Sequence, residues 1–116
     1  LGNLKMVTRI LDEGAEINSK DKLGRTPLHW AAEKGHLSVA KFLIQKGSEV
    51  NATDNEGETP MHDAAQWGKR SIVELLISCK ADIHAKGSDG RAPMHIAIAN
   101  GNSDITDLLK NHGALL

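Results

Sequence analysis

The apolar residues fall into short helical stripes. Leu28, Ala31 and Ala32 sit three and four positions apart, and after a break Val39 and Leu43 follow at the same spacing, which places each set on one face of a helix. Both stripes return 33 positions later as Met61, Ala64, Ala65, Ile72 and Leu76, and again as Met94, Ala97, Ile98, Ile105 and Leu109. The pattern predicts pairs of short helices, each too small to bury its own apolar faces, stacked so that neighbours share one continuous core. Small side chains at Ala31 and Ala64 allow adjacent helices to approach closely.

Polar punctuation keeps the same step. Asp21-Lys22-Leu23-Gly24 reads as a turn, with Asp at its start and Gly supplying positive φ, after which Thr26 caps a helix whose first residue is Pro27. That helix is predicted to run to about Lys34, where Gly35 stops it. A second follows through Ser38–Ile44 until Gly47. Thr26-Pro27-Leu28-His29 recurs as Thr59-Pro60-Met61-His62 and as Ala92-Pro93-Met94-His95. Gly24, Gly57 and Gly90 align, as do Gly2, Gly35, Gly68 and Gly101, while Lys80 interrupts the column of Gly14, Gly47 and Gly113. On these residues the chain resembles the ankyrin-repeat family, whose unit of about 33 residues carries a T-P-L-H-x-A signature, a turn and two antiparallel helices. The resemblance covers the whole chain and implies an all-α solenoid with turn or hairpin loops. It would form a single domain over 1–116, with a partial repeat at 1–21 and repeats at 22–54, 55–87 and 88–116.

The ends depart from the pattern. Ala40 and Val73 become Thr106, and Ile44 and Ile77 become Lys110, as expected of a C-terminal cap with a solvated outer face. Asn102-Ser103-Asp104 adds acidic and hydrogen-bonding groups at the positive end of the last helix. Leu1 aligns with Lys34, so the first unit lacks its turn and first helix. Further repeats are expected before it, although Arg9 puts a charge where Phe42 and Leu75 are apolar.

Composition then narrows the setting. The chain has 116 residues, 40% hydrophobic and 25% charged, with no apolar run of the ~18 residues that a membrane span requires. The lone Cys79 forms no internal disulfide and no signal segment opens the sequence, so a cytoplasmic or nuclear location is expected. A formal net charge of −1 and scattered lysines lack the basic excess that nucleic-acid binding draws on. Phosphate-loop, H-E-x-x-H, paired-cysteine and G-x-S-x-G motifs are missing from the sequence. Neither catalysis nor a cofactor is expected.

The signature histidines invite a chemical reading. Equivalent atoms of His29, His62 and His95 would lie one repeat apart, ~10 Å, whereas a metal bond spans ~2 Å; the three cannot share a metal. The resemblance implies instead that each imidazole is tied to its Thr hydroxyl and to a neighbouring unit's backbone. Ala92 lacks that hydroxyl, so the fourth unit should be the least well tied. His36, His84 and His112 show no shared spacing with acidic ligands.

Function must then lie on the surface. In the resembled family, turn tips and the exposed flank of each first helix line a concave groove that grips partners. Setting aside signature and core columns leaves Leu23, Arg25, Trp30, Glu33 and Lys34 in the second unit, beside Lys22. The third unit contributes Glu56, Glu58, Asp63, Gln66 and Trp67, beside Asn55. The fourth contributes Asp89, Arg91, Ile96 and Asn100, beside Ser88 and Ala99. Two of the chain's three aromatic residues fall in this set, and a large ring on an exposed flank is what binding hot spots favour. Trp30, directly after its His, could equally lie flat over neighbouring helices as partial core. Glu56, Glu58 and Asp63 form an acidic cluster flanked by Arg25, Lys34 and Arg91. As a site it suits a peptide or protein with an apolar anchor and a basic residue; as a solvated charged face it needs no ligand. Asn51, in Glu49-Val50-Asn51 with Leu43 upstream, resembles the ankyrin pattern hydroxylated by an asparaginyl oxygenase, while an Asn in such a loop also bonds readily to nearby backbone. Asn18 and His84 share its column.

The leading expectation is a noncatalytic, monomeric module that binds a protein or peptide, with no nucleic-acid or membrane partner. A docking or regulatory segment of a longer enzyme, a structural spacer and an engineered scaffold are the alternatives. The irregular Arg9, Lys80, Gly87 and Ala92 argue for a natural sequence.

Overall fold

The computed structural model describes residues 16–114. They form six helices in three antiparallel pairs: α1 Pro27–Lys34 with α2 Leu37–Gln45, α3 Pro60–Gln66 with α4 Arg70–Ser78, and α5 Pro93–Ala99 with α6 Ser103–Asn111. Among the described residues there is no strand. Each pair packs on the next, α1 against α3 and α3 against α5 in one layer, α2 against α4 and α4 against α6 in the other. The result is an all-α solenoid.

Local chemistry sets where each helix begins and ends. Thr26 is extended, its hydroxyl accepts from the His29 N–H, and Pro27 opens α1 where a missing N–H costs nothing. Gly35 ends the helix at φ 72, a left-handed conformation that turns the chain straight into α2. In the turns the leading aspartate organises the loop: one oxygen of Asp21 accepts from the Leu23 and Arg25 N–H groups, and one oxygen of Asp54 accepts from those of Glu56 and Glu58, all at 2.9 Å. Gly87 stands in that column of the next unit, and there Asp89 takes the Arg91 N–H instead, at 3.0 Å. Successive turns are linked: the Asn55 N–H donates to Leu23 O at 2.9 Å and the Ser88 N–H to Glu56 O at 2.8 Å.

The core is the one the stripes outline. Leu28, Val39, Leu43, Met61, Leu76, Ile105 and Leu109 have no accessible surface, and Ile72 and Met94 almost none. Ile98 is the exception, at 46% exposed. Its equivalents Ala32 and Ala65 are fully buried. Among the described residues, however, α5 has a stacked first helix, α3, on one side only, and its far flank stays open. Thr106 is half-buried and Lys110 exposed, in keeping with a solvated outer face on α6.

Lys80 occupies the column of Gly47 and Gly113 at φ 64 and is the one non-glycine residue among those described with positive φ. A Cβ is unfavourable in this conformation by about 1 kcal/mol, partly offset by the freedom that glycine adds to the unfolded chain. Lys80→Gly is therefore expected to stabilise the fold by about 0.5–1 kcal/mol. An unchanged or lower urea midpoint would contradict this.

Candidate partner-binding groove

The turns and first helices of the second and third units enclose a cavity of about 240 Å³ lined by Leu23, Arg25, Glu33, Asp54, Asn55, Glu56, Glu58, Asp63, Gln66 and Trp67. Eight of these are residues the sequence picks out as candidates. The cavity arises because the linked turns hold Leu23 and Glu56 side by side while α1 and α3 supply the wall behind them.

Arg25 sits inside this acidic cluster rather than beside it, a correction to the flanking position expected from sequence. Its guanidinium donates to Asp63 Oδ1 at 3.3 Å and to Glu33 Oε1 at 3.2 Å, and stands 3.9 Å from Asp54 Oδ2. Nothing in the sequence singles out Asp54, since its turn-forming role accounts for it. That role uses one carboxylate oxygen, and the second faces Arg25. The cavity thus holds five carboxylates against one guanidinium.

Asp63 is buried, 3% exposed, and not on a free surface as the sequence suggests. Its Oδ2 is enclosed with no hydrogen-bond partner. Burial is the largest influence on this carboxyl and, with Asp54 and Glu58 nearby, outweighs Arg25 to push its pKa up to about 7. Glu58 is raised in the same direction, first by burial and then by Asp54 and Glu56.

The column after the signature His explains two further corrections. Asp63 reaches back to Arg25 of the preceding unit, so this position points along the stack rather than outward. Ile96, one unit on, is accordingly buried at 4% exposed and belongs to the core. Trp30 is half-buried against the core, and its ring centroid lies 5.1 Å from that of His36; partial core is the reading its surroundings support. Trp67 is different. It ends α3, is 53% exposed and lines the cavity together with Leu23, which is 65% exposed. The remaining candidates lie elsewhere. Lys34 is exposed and pairs with Glu33 at 3.4 Å, Asp89 and Arg91 form the next turn, and Asn100 donates to Ile96 O at 2.9 Å.

The signature histidines are structural links. His29 Nε2 donates to Glu58 O and His62 Nε2 to Arg91 O, each at 2.9 Å, while each Nδ1 accepts from the Thr N–H and hydroxyl of its own unit. Burial holds both imidazoles below the ordinary histidine pKa. His95 receives the Ala92 N–H at 3.0 Å and is only half-buried, the looser tie that the missing hydroxyl predicts. Among the described residues no group of three or more His, Cys, Asp or Glu is arranged to hold a metal. Asn51 Oδ1 accepts from the Asp82 N–H and Asn18 Oδ1 from the Glu49 N–H, both at 2.8 Å, so each fastens one loop to the next unit. Cys79 is half-buried at the end of α4.

A family model described as ankyrin repeats in three copies matches residues 1–87, and a second, described as an ankyrin repeat, matches residues 89–115. Over 40 residues the chain is 42% identical to acyl-CoA-binding domain-containing protein 2 of Arabidopsis thaliana, a stretch of 34% of this chain and 11% of that protein. It is 46% identical over 39 residues to 26S proteasome non-ATPase regulatory subunit 10 of Dictyostelium discoideum, 34% of this chain and 17% of the relative. It is 54% identical over 33 residues to protein VAPYRIN-LIKE of Medicago truncatula, 28% and 7% respectively. The matched stretches are thus a small part of each relative.

Proposed function

Because the chain belongs to the ankyrin-repeat family, whose members are generally noncatalytic protein-interaction modules, we propose that it binds a partner polypeptide in the groove between its second and third units. The observation that carries this reading is Trp67: a large ring half open to solvent at the lip of an acid-walled cavity, at the C-terminal end of α3. Rings in this setting are where truncation removes most binding energy. The partner is a protein or peptide, and no cofactor takes part.

Affinity capture from lysate with the wild-type chain and with Trp67→Ala tests the assignment. The variant is expected to keep its helical circular dichroism and to lose its specific partner by about tenfold or more. Trp30→Ala, by contrast, should lower stability by roughly 1–3 kcal/mol through lost packing. Equal capture by wild type and Trp67→Ala would move the site away from this groove.

A further inference from the structure

The groove contains more acid than its own arginine neutralises. Arg25 already shows what the cavity accepts: one guanidinium held by Asp63, Glu33 and, more distantly, Asp54. Beyond that pairing, Glu56 is exposed and Glu58 half-buried at the cavity wall. Asp63, itself almost wholly buried, keeps one carboxyl oxygen without any partner. A buried polar oxygen left unpaired is costly, and the residue that carries it lines the cavity. Trp67 and Leu23 form the apolar rim over the same space. Buried acid, open acid and an aromatic lip are the elements of a pocket for a cationic side chain, since a carboxylate gives charge-assisted hydrogen bonds and an aromatic face attracts the cation as it enters.

Resting on the groove assignment above, we propose that this cavity is a subsite for a lysine or arginine side chain of the bound polypeptide, received by Glu56, Glu58 and Asp63, with the neighbouring apolar residue of that polypeptide covering Trp67. The incoming cation joins Arg25 or displaces it toward Glu33 on the solvent side. Of the charged groups around Asp63, Arg25 favours its ionised form, and Asp54 and Glu58 oppose it. Binding of a cation supplies the counter-charge that the cavity lacks, so affinity rises as Asp63 loses its proton, that is, with increasing pH through neutrality.

The test is selection of a random dodecapeptide display library on the full 116-residue chain near pH 8, keeping peptides that lose affinity for Trp67→Ala. These are expected to carry Lys or Arg at a fixed spacing from an apolar residue. Replacing that basic residue by norleucine, which keeps most of its length without charge, should weaken binding about tenfold. The loss should shrink in Asp63→Asn and in the double variant Glu56→Gln/Glu58→Gln, whose exposed or half-exposed positions leave the fold intact. Peptides that depend on Trp67 but bind equally well with norleucine would overturn the basic subsite and leave the groove standing. Failure to enrich any Trp67-dependent peptide would overturn both.

Discussion

His62→Ala should destabilise the chain by about 3 kcal/mol or more, while His95→Ala should cost under about 1 kcal/mol. Both residues close the same signature, and they differ in what they join. The His62 ring is fully buried, accepts from Thr59 through Nδ1 and donates through Nε2 to Arg91 O at 2.9 Å, so one side chain fastens a helix start to the turn of the next unit. Its removal opens a cavity and strands a buried Thr59 N–H, worth about 1–3 kcal/mol when left unsatisfied, and it takes one of two bonds from the Arg91 carbonyl, which keeps the Gly87 N–H at 3.0 Å. His95 makes the local bond to Ala92 N–H and is half-buried, so water can replace much of it. Against a typical total stability of about 5–15 kcal/mol, the first loss is large. Urea denaturation of the two variants under one buffer measures the contrast, and equal losses would show that the link between units carries little energy.

Asp63→Asn is expected to stabilise the chain, by an amount that grows with pH. Burial pushes the native carboxyl up to about 7, whereas the unfolded one keeps the ordinary aspartate value of 3.8. Between these values the native state binds the extra proton, so stability falls as pH rises through this window and the penalty is complete above it. Below about pH 4 both states are protonated and the term vanishes. Asn retains an oxygen for Arg25 and never ionises, so its advantage over Asp should increase by on the order of 2 kcal/mol between pH 5 and pH 8. His29 and His62 act with the opposite sign. Their depressed native pKa values withdraw stability as pH falls below 6.5, when the unfolded imidazoles take up protons. They remain in both proteins, and taking the difference between variant and wild type removes their contribution. A difference that stays flat across the range would mean that Asp63 is ionised throughout at no cost.

The solenoid was legible because its determinants are local and repeated. Thr26, Pro27 and Gly35 each act on backbone within a few residues, and the apolar stripes repeat with the units, so helix limits and core columns follow from spacing alone. Lys80 shows how literally the column holds: a lysine adopts the glycine conformation because its neighbours in the unit demand it.

The site was legible only as a set of positions left over once the fold was accounted for. Asp63, Ile96 and Trp30 share a column that the sequence marks as surface, with partial core as the alternative at Trp30 alone. Burial in this column depends on what packs against it: Arg25 of the preceding unit on Asp63, core on Ile96, and His36 of its own unit on Trp30. Arg25 likewise meets carboxylates from α1, a turn and α3, three segments that nothing in linear spacing brings together. Asp54 is not marked by the sequence, because one of its oxygens satisfies a local turn and only packing sets where the other goes. Sequence alone therefore determined the repeat, its helices and its shared core, since these rest on short-range periodic chemistry. The acid-lined cavity, its buried Asp63 and the division of labour between the two tryptophans were decided by tertiary contact, because desolvation and charge pairing depend on which groups packing brings together, not on their spacing in the chain.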